Sequence, residues 1–562
     1  MVFASILILL ALSGTPDAVH LLHRVTVTLE TDGSVTERTR AVIIPLTGRG
    51  VQRFSSMSVS FRSGMEELNI EEASVGHWRG GRGNSEASVS TGPHSVLSRT
   101  NRLESSLRES IISMPGVEVG DTVKIEIVRT IHSLALSPVY SYSFSPVLDD
   151  SVVNAVFNVY NDAGVPLYYS SGSTDHIEYL NLSPAPSHPL AAYDPPVFSI
   201  ATGSPVRLSA DASEALDIPE HAICQQLDEI VQQMDSSPSL LRQWVSDNIN
   251  YTGADTGVWP GWSPRSPEET LEDGSGVCRD RAVLLTWLLR KAGFEAYPAL
   301  ATTGDEAPQY VDARSFDHMI TVYRNPPDNS WLLLDPTPRS IPLEAGFSFG
   351  LRGCSYLPLV PGGTELETIP VNGWNDTLRM NLTGSLDLNE NLITGVLRAE
   401  SRGTPLELIT TIYNQSGPSM MPEMFRRFFG ALSCDSVAFN GSVAYVQGTW
   451  SVHRSGELLL LPGLREISLP GTRIAAMLLP CPPDSFIIDA PATEILEVSL
   501  SFENSAALLP EPLSFPGYSC SMSLFSDTLS FSETADVTNR NSAIIETLLV
   551  RSGTEARTVR IP

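Results

Sequence analysis

The sequence predicts an α+β protein in which a helix-bearing segment lies between two β-rich stretches. Three observations carry that reading. Ala282, Leu285, Leu288, Leu289 and Ala292 recur at helical spacing, so a helix with one buried face is expected there. Upstream, Val25, Val27 and Leu29, and later Val123, Ile125 and Ile127, alternate with polar neighbours, as strands with one buried face do. Downstream the alternation returns at Leu378, Met380 and Leu382, and at Leu386 and Leu388. With 562 residues, the chain is long enough for about three or four domains, each with its own core.

Taken in order, residues 1–18 read as a secretory signal peptide. The run from Phe3 to Gly14 is apolar but too short to span a bilayer, although no Lys or Arg precedes Arg24. A cut near Ala18 would send the chain out of the cytoplasm, to the periplasm, the cell envelope or the medium. No later segment reaches the ~20 apolar residues of a spanning helix. Residues 19–205 are β-rich, with a turn at Asp32-Gly33 and a return strand from Val35; Gly80–Ser90 reads as a loop. From Pro219 a helix is expected through Ile223, Leu227, Ile230 and Met234, opening a central unit over 206–370. Residues 371–562 return to strands, with one helix around Met421–Phe429 and a late strand at Ile544–Val550. The histidines outside the centre, among them His77, His132, His176 and His453, show no ligand spacing.

Composition narrows the function. A net charge of −28 argues against nucleic acid or an anionic membrane as partner. Six cysteines are too few for a disulfide scaffold; if Cys278 stays free, at most two bridges can form among Cys224, Cys354, Cys434, Cys481 and Cys520. No zinc, nucleotide or dinucleotide motif occurs, so no metal and no cofactor is expected.

The chemistry gathers around Cys278. Gly274 and Gly276 supply a turn, and Cys278 opens the helix, where unpaired N–H groups and the positive end of the dipole favour a thiolate. Arg290 and Lys291 suit the other end, and Gly293 suits its cap. His318 lies in a predicted strand, Ser315–Tyr323, and Asp335 closes a second that begins at Trp331. Between them, Asn325-Pro326-Pro327-Asp328-Asn329 is a turn. If Arg324 pairs with Asn329, His318 faces Asp335 directly, with Cβ atoms roughly 4.5–5.5 Å apart. The carboxylate could then hold the imidazole in one tautomer. Asp317 is the rival, but neighbouring strand residues point to opposite faces. A cysteine, a histidine and an aspartate so arranged can perform nucleophilic catalysis.

These motifs resemble the transglutaminase core, a papain-like fold. Gly276-Val277-Cys278-Arg279-Asp280-Arg281-Ala282 is similar to the family's Gly-x-Cys-Lys/Arg-Asp-x-Ala, Phe316-Asp317-His318 to its histidine block, and Leu334-Asp335-Pro336-Thr337 to its aspartate block. Leu240–Tyr251 resembles the helix that opens this core, and the likeness covers about residues 212–345. Residues 19–205, with Met114–Asp121 as the best-matching piece, resemble a domain of unknown function found ahead of such cores in bacterial exported proteins.

The resemblance implies a papain-like core flanked by two β-sandwich-like domains. It also implies a Cys278–His318–Asp335 triad that forms a thioester on an amide of a protein or peptide substrate. Water would then make the chain a peptidase or amidase; an amine would make it a transglutaminase. The family can also use a tryptophan N–H against the oxyanion, for which Trp259 and Trp262 are the candidates, with Trp244 expected in the core. A packing role in a loop is at least as good a reading of both tryptophans, and the backbone N–H of Cys278 is the safer donor. The alternative is a catalytically idle scaffold that binds a partner in the envelope.

Overall fold

The computed structural model describes residues 16–77, 85–86, 88–93, 107–171, 174–185, 197–216, 225–252, 264–303, 307–325, 327–339, 341, 343, 345–370, 376–416, 420–462, 464, 467, 492–501, 509–515, 518–525, 528–537 and 558–560. The signal-peptide run, the start of the helix expected from Pro219, Trp259, Trp262, Cys224, Cys481 and the strand expected at Ile544–Val550 lie outside them.

The first strand, Ala18–Leu29, is central to a seven-stranded sheet. It runs antiparallel to Val35–Pro45 and parallel to Ser151–Asn161. Its alternation buries Val25, Val27 and Leu29 against Phe144, Phe157 and Phe198, while Ile43, Val123 and Ile125 form a second cluster with Phe54. Asp17 and Ala18 are already part of this fold: the Asp17 carbonyl accepts from Leu46 N–H at 2.8 Å, and Ala18 N–H donates to Asp150 at 2.9 Å. Part of the stretch read as a loop is strand, at Ser85–Glu86 and Ser88–Pro93; the latter pairs with Leu107–Ser113 in a separate three-stranded sheet. Its Ser- and Gly-rich sequence hides the period, because pairing there rests on backbone groups.

The central unit is a five-stranded antiparallel sheet with helices on one side. The elements that carry the site are α1 (Pro238–Asn248), β1 (Asn250–Tyr251), α2 (Pro267–Asp273), β2 (Ser275–Gly276), α3 (Cys278–Lys291), β3 (Ala296–Ala301), β4 (His318–Arg324), β5 (Trp331–Leu334) and β6 (Ser355–Pro358). β5, β4, β3 and β6 lie side by side in that order. Helix α3 is buried all round, since every residue from Arg279 to Leu289 is buried. The spacing predicts one apolar face; the second is covered because α1, α2 and the helix Gln225–Gln233 pack opposite the sheet. Trp244, on α1, packs against this core as expected.

The C-terminal stretch forms an eight-stranded sheet that includes β7 (Asp376–Asp387), β8 (Leu392–Arg402), β9 (Ser433–Asn440) and β10 (Val443–Ser451). The helix Met421–Phe428 packs on it through Phe425 and Phe429. A further helix, Thr404–Ser416, was not legible, because its Ile and Thr residues read as strand formers. Gly384 of β7 faces Gly395 of β8, which faces Gly448 of β10. A Cβ on any of the three would lie 2.2 Å from a neighbouring carbonyl oxygen. Arg352 joins this stretch to the centre: its guanidinium lies 3.0 Å from the Asp376 carboxylate, both buried, and donates to Thr404 at 2.7 Å.

Among the described residues Cys278 and Cys434 are free thiols. No described helix is long and apolar enough to cross a membrane.

Candidate active site

The chain reaches Cys278 under close control. Ser266 caps α2 with Glu269 returning the bond, and Pro267 occupies the first turn. Gly274 ends α2 at φ +58°, the left-handed conformation that glycine adopts freely. The next residues form β2, parallel to β1, with Asn250 N–H donating to Gly274 O at 2.8 Å and Thr252 N–H to Gly276 O at 3.2 Å. Gly276 is required for space: a Cβ there would sit 2.9 Å from the Asp280 Cβ. Asp280 accepts from Val277 N–H at 3.0 Å and from Arg265 N–H at 3.0 Å, so its carboxylate caps the helix. Cys278 is the first residue of α3 and half-buried.

His318 opens β4, and its Nε2 lies 3.0 Å from Asp335 Oδ2. The register is not the expected one. Arg324 pairs with Trp331 rather than Asn329, a slip of two residues. Asp328 causes it: its carboxylate gathers Asn325 Nδ2 and the N–H and hydroxyl of Ser330, and Asn329 turns back at φ +57°. Asn325 then pairs with Ser330. Asp335 stands opposite Ile320, one diagonal step from His318. An even slip keeps the same face, and a diagonal pair is still within reach.

Asp335 is held on every side. Its N–H donates to Gly346 O at 2.7 Å, and its Oδ1 accepts from Thr337 N–H at 2.8 Å. Asp317 faces away, bonded to Thr303 N–H at 2.9 Å. Burial opposes charge on His318, but the Asp335 carboxylate, its hydrogen bond and a hydrogen bond with Cys278 outweigh it and hold the imidazole well above its ordinary range. Burial likewise works against the Asp335 carboxylate, and His318 with Thr337 brings it below the ordinary range. Nε2 is committed to Asp335, so Nδ1 is the nitrogen left for Cys278.

Three side chains here went unread in the sequence. Arg281, one turn after Cys278, donates to Pro336 O at 3.0 Å and Thr337 O at 2.6 Å, tying the cysteine helix to the aspartate turn. Burial and the Arg339 charge bring it down to about 10, with Asp335 opposing. Tyr251, half-exposed, lies under Arg281 at 5.6 Å and beside Gly276. Burial and the neighbouring Cys278 push its hydroxyl up to about 12. Arg242 of α1 is buried and donates to Ile341 O at 3.3 Å; burial lowers its pKa, while Asp335 and Asp247 oppose the shift. A charged residue inside an apolar helical stripe was the only sign of Arg281. Among the described residues no three His, Cys, Asp or Glu side chains converge as a metal ion would need.

The pair makes stability depend on pH. His318 is raised, so its contribution is complete below its ordinary 6.5 and is lost as pH rises through the higher folded value. Asp335 is lowered, so its contribution is present above its ordinary 3.8 and is lost as pH falls. The melting-temperature difference between parent and His318→Ala is therefore expected to be largest around pH 5–6 and to shrink toward alkaline pH. A difference that grows with pH contradicts this coupling.

Comparison with known proteins fits the architecture. Residues 31–179 match the family DUF3857, a domain of unknown function, and residues 222–336 match the transglutaminase-like superfamily core. The second match spans Cys278, His318 and Asp335. A crystal structure described as that of "a putative protease" from Parabacteroides distasonis superposes with a TM-score of 0.61 at 11% identity, covering 97% of this chain and 99% of that one. At that identity the likeness speaks for the fold alone. A second, described as "a putative cysteine protease" from Cytophaga hutchinsonii, is 11% identical over 55% of this chain and 78% of that one. Its TM-score of 0.17 is too low to bear on the fold. No curated protein matches the sequence.

Proposed function

This chain carries a transglutaminase-like core behind a DUF3857 domain, and on that premise we propose that it is a cysteine enzyme that cleaves amide bonds of proteins or peptides. The observation that supports this most is one imidazole hydrogen-bonded to a buried carboxylate at 3.0 Å, with the Cys278 thiol near enough to act on the same ring. In this reading His318 takes the thiol proton and Asp335 holds the ring and its charge. The sulfur attacks the carbonyl carbon, and the oxyanion meets the Cys278 backbone N–H at the start of α3. As the C–N bond breaks, the imidazolium returns its proton to the leaving amine, and a thioester remains. Water, activated by the same imidazole, then releases the acid and the free thiol. Trp259 and Trp262 remain proposed second donors to the oxyanion.

We also infer export, from the apolar run Phe3–Gly14. The contacts of Asp17 and Ala18 favour a cut upstream of Asp17, which keeps Ala18 in the sheet and Asp17 bonded to Leu46 beside it.

One set of experiments on the natively expressed protein tests both readings. Mass spectrometry is expected to find an N-terminus between Gly14 and Asp17; an intact Met1 on a cytosolic pool refutes export. An activity-based thiol probe is expected to label Cys278, and a peptide-library digest to yield cleaved products that vanish in Cys278→Ala. Products capped by an added primary amine would assign acyl transfer instead of hydrolysis. If the parent neither cleaves nor caps any peptide, the core is an idle scaffold.

A further inference from the structure

The DUF3857 region reaches into the central unit four residues ahead of His318. There the chain makes a short 3-10 turn, Ala313–Ser315, capped by Asp312, whose Oδ1 accepts from Arg314 N–H at 2.7 Å. Asp312 is 1% exposed, and its Oδ2 accepts from the Ser141 N–H at 2.8 Å. Arg314 completes the exchange. Its Nη2 donates to Ser141 O at 2.9 Å and to Asp312 Oδ2 at 2.8 Å, and its Nη1 donates to Glu37 Oε1 at 2.9 Å. The guanidinium lies 4.9 Å over the Tyr140 ring, and the buried Tyr140 hydroxyl donates to the same Glu37 oxygen at 3.0 Å. The backbone of one residue of the N-terminal region, Ser141, thus both donates to and accepts from the turn, and one carboxylate holds both the turn's arginine and Tyr140. Burial opposes the Arg314 charge, but Asp312 and Glu37 raise its pKa well above the ordinary range.

The turn has no slack on its other side. Phe316 is buried in the central core, Asp317 N–H donates to Ala301 O at 3.3 Å, and His318 pairs with Ala301 as β4 begins. Only a short stretch separates Asp312 from His318, and a chain can shift its far end only as far as its anchors permit. Both ends here are bonded, one of them to Glu37 and Ser141, which stand 277 and 173 residues from Arg314 in sequence.

We propose that the DUF3857 region is a working part of the active centre: through Glu37, Tyr140 and Ser141 it fixes Asp312 and Arg314, which are positioning residues for His318. The proposal rests on the reading of His318 as the proton carrier for Cys278. It gives the N-terminal region a role of its own, which is to seat the segment that delivers the histidine.

Iodoacetamide tests this on the full chain without a known substrate. The rate of Cys278 alkylation at pH 7 is measured by mass spectrometry, with Cys434 as reference. Arg314→Met and Glu37→Gln are expected to slow it about tenfold or more, since small displacements at a reacting pair are costly. Arg314→Lys is expected to recover part of the loss. In a His318→Ala background the same substitutions are expected to change nothing further, because their effect passes through the imidazole. Tyr140→Phe, which removes one hydroxyl, serves if Arg314→Met does not fold. Parental rates in Glu37→Gln and Tyr140→Phe, with His318→Ala slow, overturn the proposal and leave the catalytic reading standing. So does a slowing that persists in His318→Ala, which would report general loosening. If His318→Ala itself alkylates at the parental rate, the catalytic reading falls and the proposal with it.

Discussion

Asp335→Asn is expected to lower turnover by about 10⁴-fold while the protein stays folded. The asparagine oxygen can still accept from Thr337 N–H, so the turn after β5 is kept. Its amide nitrogen would then face His318 Nε2 and donate to it. That bond needs a lone pair on Nε2, which moves the ring proton to Nδ1. Nδ1 is the nitrogen that must take the proton of Cys278, and in this tautomer it cannot. The charge that stabilises the imidazolium is lost as well. Peptide cleavage, or the alkylation rate of Cys278, measures the effect. Turnover within tenfold of the parent would remove Asp335 from the mechanism.

Arg352→Met is expected to cost about 3–5 kcal/mol of stability, the usual result of taking one partner from a buried ion pair. Asp376 would stay buried with its carboxylate facing an apolar side chain, still accepting from Thr404 N–H at 3.1 Å. Urea unfolding followed by tryptophan fluorescence reads the loss. Asp376→Leu in the same chain is expected to return much of it, because the double variant leaves no buried charge unpaired, although Thr404 N–H loses its carboxylate acceptor. A single substitution that costs less than about 1 kcal/mol would mean that the pair does not carry the junction.

Much of the centre was legible because the relevant signals are local. Two glycines, a cysteine and a helical stripe stand within one short stretch of chain. A helix start is written in its own sequence, and so Cys278 could be placed there. Face was legible too: His318 and Asp335 were put on one side of the hairpin, and they are on one side. Their exact opposition was not, because Asp328 and Asn329 decide how many residues the turn consumes, and side-chain bonding in turns does not show in alternation. Arg281 and Tyr251 were hidden for another reason. Each matters through carbonyls or rings supplied by distant segments. The lock between Glu37 and Arg314 joins positions 277 residues apart, and no periodicity reports such a pair.

The glycines at 384, 395 and 448 bear on how the C-terminal sheet finds its own alignment. Alternation along a strand constrains pairing only to odd or even, as the central hairpin illustrates, so slides of two leave the apolar side chains inside. A slide of two between β7 and β8 would set Gly384 against Leu397 or Ile393 instead of Gly395. The close approach that only hydrogen allows would then be filled by a branched side chain or its Cβ. Misaligned pairings therefore meet a steric barrier that the correct one does not. The three glycines serve as a notch, rejecting the near-native slides that hydrophobicity alone would accept.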